Sequence, residues 1–320
     1  MRSRLVMILA VVLALTAVAV TGTRFIKSSP DRPIAVHESL PPTLASYLGV
    51  FEPGAPPGYT AVAAFAQAAG RQPNLVGYYS GWAQPFDTSF AGMLRKHGVN
   101  PFVQIDPTDA SVAAIAAGTY DQYLSSYADS VRDFGHPVVI GFGHEMNAPW
   151  YSWGYGHVSA ATFVAAWRHI VTLFHHEGAY NVTWLWTLQA DDNVTGQAVS
   201  WWPGVQYVNW VGIDGYYVDP SDTFTSVFGK TISQVRAFTN LPILLSETAV
   251  APAAVPLVKI PDLFQGIATA STLGLVWFDK DQQGDPGSNH QDWRIENNPQ
   301  AQIVFKLDVR TYLSPNPPGG

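Results

Sequence analysis

Two glutamates follow apolar, strand-like segments, and they are the side chains best placed to do chemistry. Glu145 comes after the run at residues 137–140 and directly after His144, and Glu247 comes after the run at residues 242–245. Two carboxyl groups in one cleft can divide the work of glycoside hydrolysis: one protonates the leaving oxygen, and the other attacks the anomeric carbon or activates water. Each glutamate alone could instead form an ion pair at a strand end.

Aromatic and polar side chains accompany the glutamates. The segment "HEMNAPWYSWG" (residues 144–154) contains Asn147 and Trp150, and large aromatic residues end other apolar segments, among them Trp82, Tyr216 and Trp277. Aromatic rings pack on the apolar faces of sugar rings, and carboxylates and amides pair with the hydroxyl groups, which cannot be buried unpaired. We therefore expect a cleft that binds a carbohydrate.

The elements that must position these residues are short apolar runs alternating with helical stretches. The eight runs are residues 47–53, 75–82, 100–107, 137–145, 181–189, 208–217, 242–250 and 273–280. Helical periodicity between them, as in residues 61–70 and 161–178, indicates a parallel sheet covered by helices. This α/β pattern predicts a (β/α)8 TIM barrel, which typically takes about 250 residues.

A doubly wound open sheet is the alternative to the barrel. No glycine-rich dinucleotide loop and no phosphate-binding loop follows any of the strands, which weakens that alternative. In a barrel the functional residues lie at the carboxyl ends of the strands. Further polar residues at those ends are Glu52, Gln104, Asp106, Gln189, Asp214 and Asp279.

Composition narrows the classes of partner and cofactor. Hydrophobic residues make up 47% of the 320-residue chain and charged residues 13%, so a large core is expected. The net charge is −7 and the body of the chain has no basic cluster, which argues against a nucleic-acid partner. With no cysteine, disulfides and thiolate chemistry are excluded. We expect a monomer that needs no cofactor and acts on a polysaccharide.

The N-terminus predicts export. Two arginines precede an uninterrupted apolar run at residues 5–20, which is typical of a secretory signal or an uncleaved anchor. We assign residues 1–27 to a signal peptide or N-terminal membrane anchor, residues 28–43 to a polar, proline-rich linker, and residues 44–320 to the catalytic domain. The protein is then secreted or attached to the outer face of a membrane.

No metal site is expected. Residues 279–290 match a calcium loop at its first and third positions and at Gly284, but His290 stands where the loop needs a bidentate glutamate. A loop bordering the sugar cleft is the simpler interpretation of this segment.

These residues resemble glycoside hydrolase family 26, a family of β-mannanases and related endo-β-glycanases built on a (β/α)8 barrel. The resemblance rests on the strand-4 motif at residues 144–154, on Gly212 to Tyr216 at strand 6, on "SE" at residues 246–247 and on "WF" at residues 277–278. It extends over residues 47–313. Two departures are Ala148, where the family usually has glycine, and Gly141 to Gly143, where mannanases commonly carry an arginine.

The resemblance implies roles for single residues. It makes Glu145 the general acid/base and Glu247 the nucleophile of a retaining hydrolase. It places His144 beside the acid/base, makes Tyr216 the hydrogen-bond partner of the nucleophile, and makes Trp150 and Trp277 walls of the sugar subsites. With Asn147 and Trp82 these complete the expected substrate site.

The expected activity is endo-hydrolysis of a β-linked polysaccharide, with β-1,4-mannan the first candidate. An endo-β-glucanase of the same family and a catalytically silent carbohydrate-binding barrel are the alternatives. Both glutamates, His144 and Tyr216 are present, which favours an enzyme over a silent barrel.

Overall fold

The computed structural model describes residues 39–190, 196–282 and 290–314. The predicted leader (residues 1–27), most of the predicted linker (residues 28–38), most of the candidate calcium loop (residues 283–289) and residues 315–320 lie outside this described part. Among the described helices, none has both the length and the apolarity needed to cross a bilayer.

Eight parallel strands form a closed barrel in which the last strand pairs with the first. They are β1 (Tyr47–Phe51), β2 (Leu75–Gly81), β3 (Asn100–Asp106), β4 (Val138–Phe142), β5 (Val182–Gln189), β6 (Trp210–Asp214), β7 (Ile243–Thr248) and β8 (Gly274–Phe278). Nearly every strand residue is buried, as expected of parallel strands covered on both faces. The predicted (β/α)8 barrel is confirmed, and closure between β1 and β8 rules out the open sheet.

Helices follow the strands and cover the outside of the barrel. They are α1 (Thr60–Ala69), α2 (Thr88–Lys96), α3 (Val112–Ala116), α4 (Asp121–Phe134), α5 (Ala160–His176), α6 (Lys230–Arg236), α7 (Pro256–Thr269) and α8 (Pro299–Tyr312). A short antiparallel pair, β9 (Asp281–Gln282) and β10 (Gln291–Asp292), follows β8.

Helix α5 shows how local sequence builds this outer layer. Its N-cap is Ser159, whose hydroxyl oxygen accepts a hydrogen bond from the backbone N–H three residues later. Phe163, Trp167, Ile170 and Phe174 recur at spacings of three and four residues and are buried. This spacing places them on one helix face, which packs on the barrel.

The base of the barrel is filled by apolar side chains. Tyr47 on β1 and Trp210 on β6 have ring centroids 4.8 Å apart although their strands do not pair, so both point towards the barrel axis. Leu40 is buried in the same cluster, and its N–H donates to the Thr183 hydroxyl at 2.8 Å. Residues 39–43 therefore belong to the barrel, and the predicted domain boundary at residue 44 is too late.

A polar layer lies above this apolar base. Gln104 and Thr187 lie on strands that do not pair, β3 and β5, yet their side chains are hydrogen-bonded across the interior at 3.0 Å. Gly141 on the intervening β4 leaves the room for this contact, since a Cβ atom there would lie 1.9 Å from the Gln104 Oε1 atom. The layer is a rigid polar floor for the mouth of the barrel.

Candidate active site

Glu145 sits in a tight turn directly after β4. Gly143 has φ 54° and Glu145 has φ 53°, both in the left-handed region. That conformation costs a residue with a Cβ atom about 1–2 kcal/mol, and such strain is concentrated at functional sites. The Glu145 N–H still donates to the Thr187 carbonyl at 3.0 Å, so the turn bends the chain while tying it to β5.

The carboxyl group of Glu145 is held by Trp150. The Trp150 indole N–H donates to Glu145 Oε2 at 2.6 Å, while Glu145 itself is only 7% exposed. Trp150 is 47% exposed, which is high for so large an apolar side chain. One residue thus orients the carboxyl group and presents an aromatic face to solvent.

His144 lies between the carboxyl group of Asp106 and the hydroxyl group of Tyr151. Its Nδ1 is 2.9 Å from Asp106 Oδ1, and its Nε2 is 3.1 Å from the Tyr151 hydroxyl. Burial lowers the pKa of His144, but the charge of Asp106, the hydrogen bond to it and the charges of Glu145 and Asp214 together raise the pKa to about 9. This shift favours the protonated imidazole, which donates from both nitrogens.

Glu247 reaches the interior through an irregularity in β7. The pairing of β6 with β7 shifts register, with Gly212 opposite Leu244 but Asp214 opposite Glu247. Successive residues of a regular strand alternate between faces, whereas a bulge re-aims them. As a result the Ser246 hydroxyl donates to Asp214 Oδ1 at 2.6 Å and Glu247 also faces inward, where its Oε2 accepts a hydrogen bond from the Tyr216 hydroxyl.

Burial dominates the electrostatics of the site. It raises the pKa of Glu247 to about 8, and the positive charge of Lys280 opposes this shift. Burial and then the negative charge of Glu145 raise the pKa of Asp214 well above its usual range. Burial and the charges of Asp214 and Glu145 also raise the pKa of Tyr216, so its hydroxyl stays protonated and able to donate. Both glutamates therefore interact with Tyr216 at the mouth of the barrel: Glu145 through its charge, and Glu247 through a hydrogen bond.

The prediction that Trp277 lines the cleft is wrong. Trp277 is 1% exposed, packs edge-on against Phe305 of α8 and donates its N–H to the Trp293 carbonyl at 2.9 Å. Side chains alternate along β8, so Trp277 shares the outward face with Leu275, and Phe278 points inward. Phe278 stacks on Phe51.

Two other predicted substrate residues are engaged with protein groups. The Asn147 side chain exchanges two hydrogen bonds of 2.9 Å with the backbone of Gln189, which ties the turn after β4 to the end of β5. Trp82 packs against Tyr120, Tyr123 and Phe142. The structure therefore gives Asn147 a positioning role.

Sequence reasoning missed several residues of the site. Phe278 replaces Trp277, Tyr151 bonds His144, Lys280 influences Glu247, and the Trp293 ring lies 5.0 Å from that of Tyr216. Tyr151 stands within the strand-4 segment and could have been found there. Trp293 follows β10 and lies far from any barrel strand end in the sequence, so no sequence pattern marked it as a site residue.

Comparisons with known proteins agree with this geometry. A family model described as glycosyl hydrolase family 26 matches residues 106–288. Endoglucanase H of Acetivibrio thermocellus is 27% identical in an alignment 270 residues long, and the alignment covers 79% of this chain and 29% of that protein. Mannan endo-1,4-β-mannosidase A and B of Caldalkalibacillus mannanilyticus is 30% identical in an alignment 119 residues long, which covers 34% of this chain and 22% of that protein. The chain thus spans less than a third of these curated relatives.

A solved structure shares the fold. The catalytic domain of an endo-β-1,4-mannanase from Bacillus sp. JAMB-750 superposes with a TM-score of 0.63 at 16% identity, covering 84% of this chain and 87% of that domain.

Proposed function

Because the chain belongs to glycosyl hydrolase family 26, whose model matches more than half of it, we propose that it is a retaining, endo-acting glycoside hydrolase. Glu145 is the acid/base and Glu247 the nucleophile. The observation that carries the proposal is the arrangement around Asp214 and Tyr216, where the buried Glu145 after β4 and the partly buried Glu247 on β7 meet one cluster and have different hydrogen-bond partners.

The first step of the proposed reaction needs an ionised nucleophile. The Glu247 carboxylate attacks the anomeric carbon while the Glu145 carboxylic acid gives its proton to the departing glycosidic oxygen. Burial works against ionisation of Glu247, and the hydrogen bond from Tyr216 together with the charge of Lys280 works in favour of it.

The second step returns both glutamates to their starting states. Glu145, now a carboxylate, takes a proton from water, and the resulting hydroxide attacks the anomeric carbon and displaces Glu247. Two inversions at one carbon give net retention of configuration. Trp150 keeps the Glu145 carboxyl group oriented through both steps.

For the substrate, β-1,4-mannan is the first candidate. It is supported by the resemblance of the strand-4 segment to mannanases and by the relative from Caldalkalibacillus mannanilyticus that is named a mannan endo-1,4-β-mannosidase. A β-glucan is the second candidate, because the relative that aligns over 79% of this chain is named an endoglucanase. The neutral aromatic face of Trp150 suits either polymer.

A panel of polymers tests the proposal. The purified protein is incubated with β-1,4-mannan, mixed-linkage β-glucan and β-1,3-xylan, and both viscosity and new reducing ends are followed. An endo-acting enzyme lowers viscosity early and releases oligosaccharides, with mannan cut fastest. Monosaccharide as the sole early product contradicts endo action. Cleavage of β-glucan alone moves the assignment to the second candidate.

The pH profile tests the role of Tyr216. A hydrogen bond to the charged form of an acid lowers its pKa, so Tyr216→Phe should raise the pKa of Glu247 and move the acidic limb of kcat/KM to higher pH. A hydrogen bond to a charged group is worth about 1.5–3 kcal/mol, so the expected movement is about one pH unit or more. Tyr217→Phe is the matched control, because the Tyr217 hydroxyl bonds Asp262 instead. An acidic limb that stays in place in Tyr216→Phe refutes this role.

We also propose that the protein is exported and that it is a monomer. Export is supported by the arginines and the apolar run at residues 5–20. N-terminal sequencing of the protein recovered from culture fluid and from membranes distinguishes a cleaved signal from a retained anchor. Gel filtration with light scattering determines the oligomeric state.

A further inference from the structure

Three carboxyl groups meet where the barrel closes, at the ends of β1 and β8. Glu52 directly follows β1 and Asp279 directly follows β8, and the Asp279 N–H donates to the Phe51 carbonyl at 3.0 Å. Glu296 comes from the short turn before α8. One carboxylate oxygen from each of the three lies within 4.8 Å of the other two.

The cluster contains buried oxygen atoms without a hydrogen-bond donor. Asp279 is fully buried, and although its Oδ1 accepts from the Ile295 N–H at 2.8 Å, its Oδ2 has no donor. Glu296 Oε2 is also buried without a donor. Buried polar atoms are nearly always partnered, so two unpartnered acceptors in a cluster of three carboxyl groups point to an occupant that accepts electron pairs.

Arg294, whose charge acts on Glu52, is engaged by other carboxylates. The Arg294 guanidinium donates twice to Asp292, both at 2.8 Å, and lies 3.3 Å from Asp281. Burial, followed by the hydrogen bonds and charges of Glu52 and Glu296, raises the pKa of Asp279 to about 10.

We infer that Glu52, Asp279 and Glu296 form a binding site for a divalent cation of the calcium type, which clamps β1, β8 and the approach to α8 together. Oxygen ligands lie about 2.3–2.6 Å from Ca²⁺, so two oxygens on opposite sides of one ion are about 4.6–5.2 Å apart. The three oxygens lie within 4.8 Å of one another, which is short enough for all three to contact one ion.

The test measures metal binding directly. The full chain is dialysed against a chelator and titrated with CaCl₂ by calorimetry at neutral pH, and thermal unfolding is followed with and without the metal. The wild type should bind one Ca²⁺ per chain and show a higher Tm with Ca²⁺. Asp279→Asn keeps the acceptor for the Ile295 N–H but removes the charge of one ligand. Loss of an outer-shell partner of a metal typically weakens metal binding about 10–100-fold, and this variant should weaken Ca²⁺ binding by more than that. Glu296→Gln serves if Asp279→Asn does not fold.

A matched control is Asp133→Asn, which removes one carboxylate from an exposed ion pair on α4 and should bind Ca²⁺ like the wild type. The inference is overturned if the wild type takes up no stoichiometric Ca²⁺, in which case the three groups only share protons. It is also overturned if both cluster variants keep wild-type affinity. Because binding and Tm are read without a substrate, these outcomes are independent of the proposed hydrolase activity.

Discussion

Glu247→Ala is expected to abolish turnover of both polymer and activated substrates. The variant lacks the atom that forms the covalent bond to the anomeric carbon, and no improvement of the leaving group replaces that atom. Loss of the nucleophile from a serine protease costs about 10⁶-fold in kcat, and an effect of similar order is expected here. The measurement is steady-state hydrolysis of the polymer and of a dinitrophenyl β-glycoside of the matching disaccharide.

The configuration of the product formed with azide is a second test of the role of Glu247. Alanine leaves space on the face from which the nucleophile attacks, so a small anion such as azide can enter there and give an α-glycosyl azide, with inverted configuration. Glu177→Ala, a change at the end of α5 where the glutamate bonds Ser125, is the control and should keep full activity. A β-glycosyl azide from Glu247→Ala would show that the roles of the two glutamates are exchanged.

The second large effect is expected for Glu145→Ala, and it should depend on the leaving group. Loss of a general acid/base costs about 10²–10⁴-fold, so polymer hydrolysis should fall by that amount. A dinitrophenolate needs no proton to depart, so the first step should survive and give a burst of one equivalent. The second step lacks its base, and the covalent intermediate should accumulate at Glu247.

Azide should then release this intermediate, because azide needs no deprotonation. It attacks from the Glu145 side, so the product should be a β-glycosyl azide, with retained configuration. Trp150→Phe separates orientation from proton transfer, because it removes the indole N–H bonded to Oε2 but keeps the carboxyl group and an aromatic ring. It should lower polymer hydrolysis less than Glu145→Ala does and show no azide rescue. Absence of both burst and rescue in Glu145→Ala argues against an acid/base role.

Much of the fold can be predicted from local sequence patterns. Apolar runs of strand length between helical stretches predict all eight strands, because strands buried on both faces must be apolar throughout. The strand-4 segment likewise predicts that His144 and Glu145 lie at the carboxyl end of β4. The linker boundary was missed because a single buried residue, Leu40, lies next to two prolines and carries no periodic pattern.

The wrong predictions at the site have two causes. One is the alternation of side chains along a strand, and the other is contact between residues that lie far apart in the sequence. In β8 the predicted wall residue is Trp277, but a shift of one position reverses which side chain faces the axis, so Phe278 faces inward. The register shift in β7 that turns Glu247 inward depends on pairing with β6, which the sequence does not display. Glu52 and Asp279 were recognised as strand-end acids, whereas Glu296 joins them only in three dimensions.

The left-handed backbone at Glu145 has an evolutionary consequence. Glycine suits that conformation better than any residue with a Cβ atom, and glutamate and glycine codons differ by one nucleotide. The strain of about 1–2 kcal/mol is a noticeable share of the roughly 5–15 kcal/mol that keeps a domain folded. A gene under selection only for a stable sugar-binding barrel would have a short mutational path to glycine at this position. Backbone stability alone would favour glycine over glutamate at position 145, so stability does not explain the glutamate there.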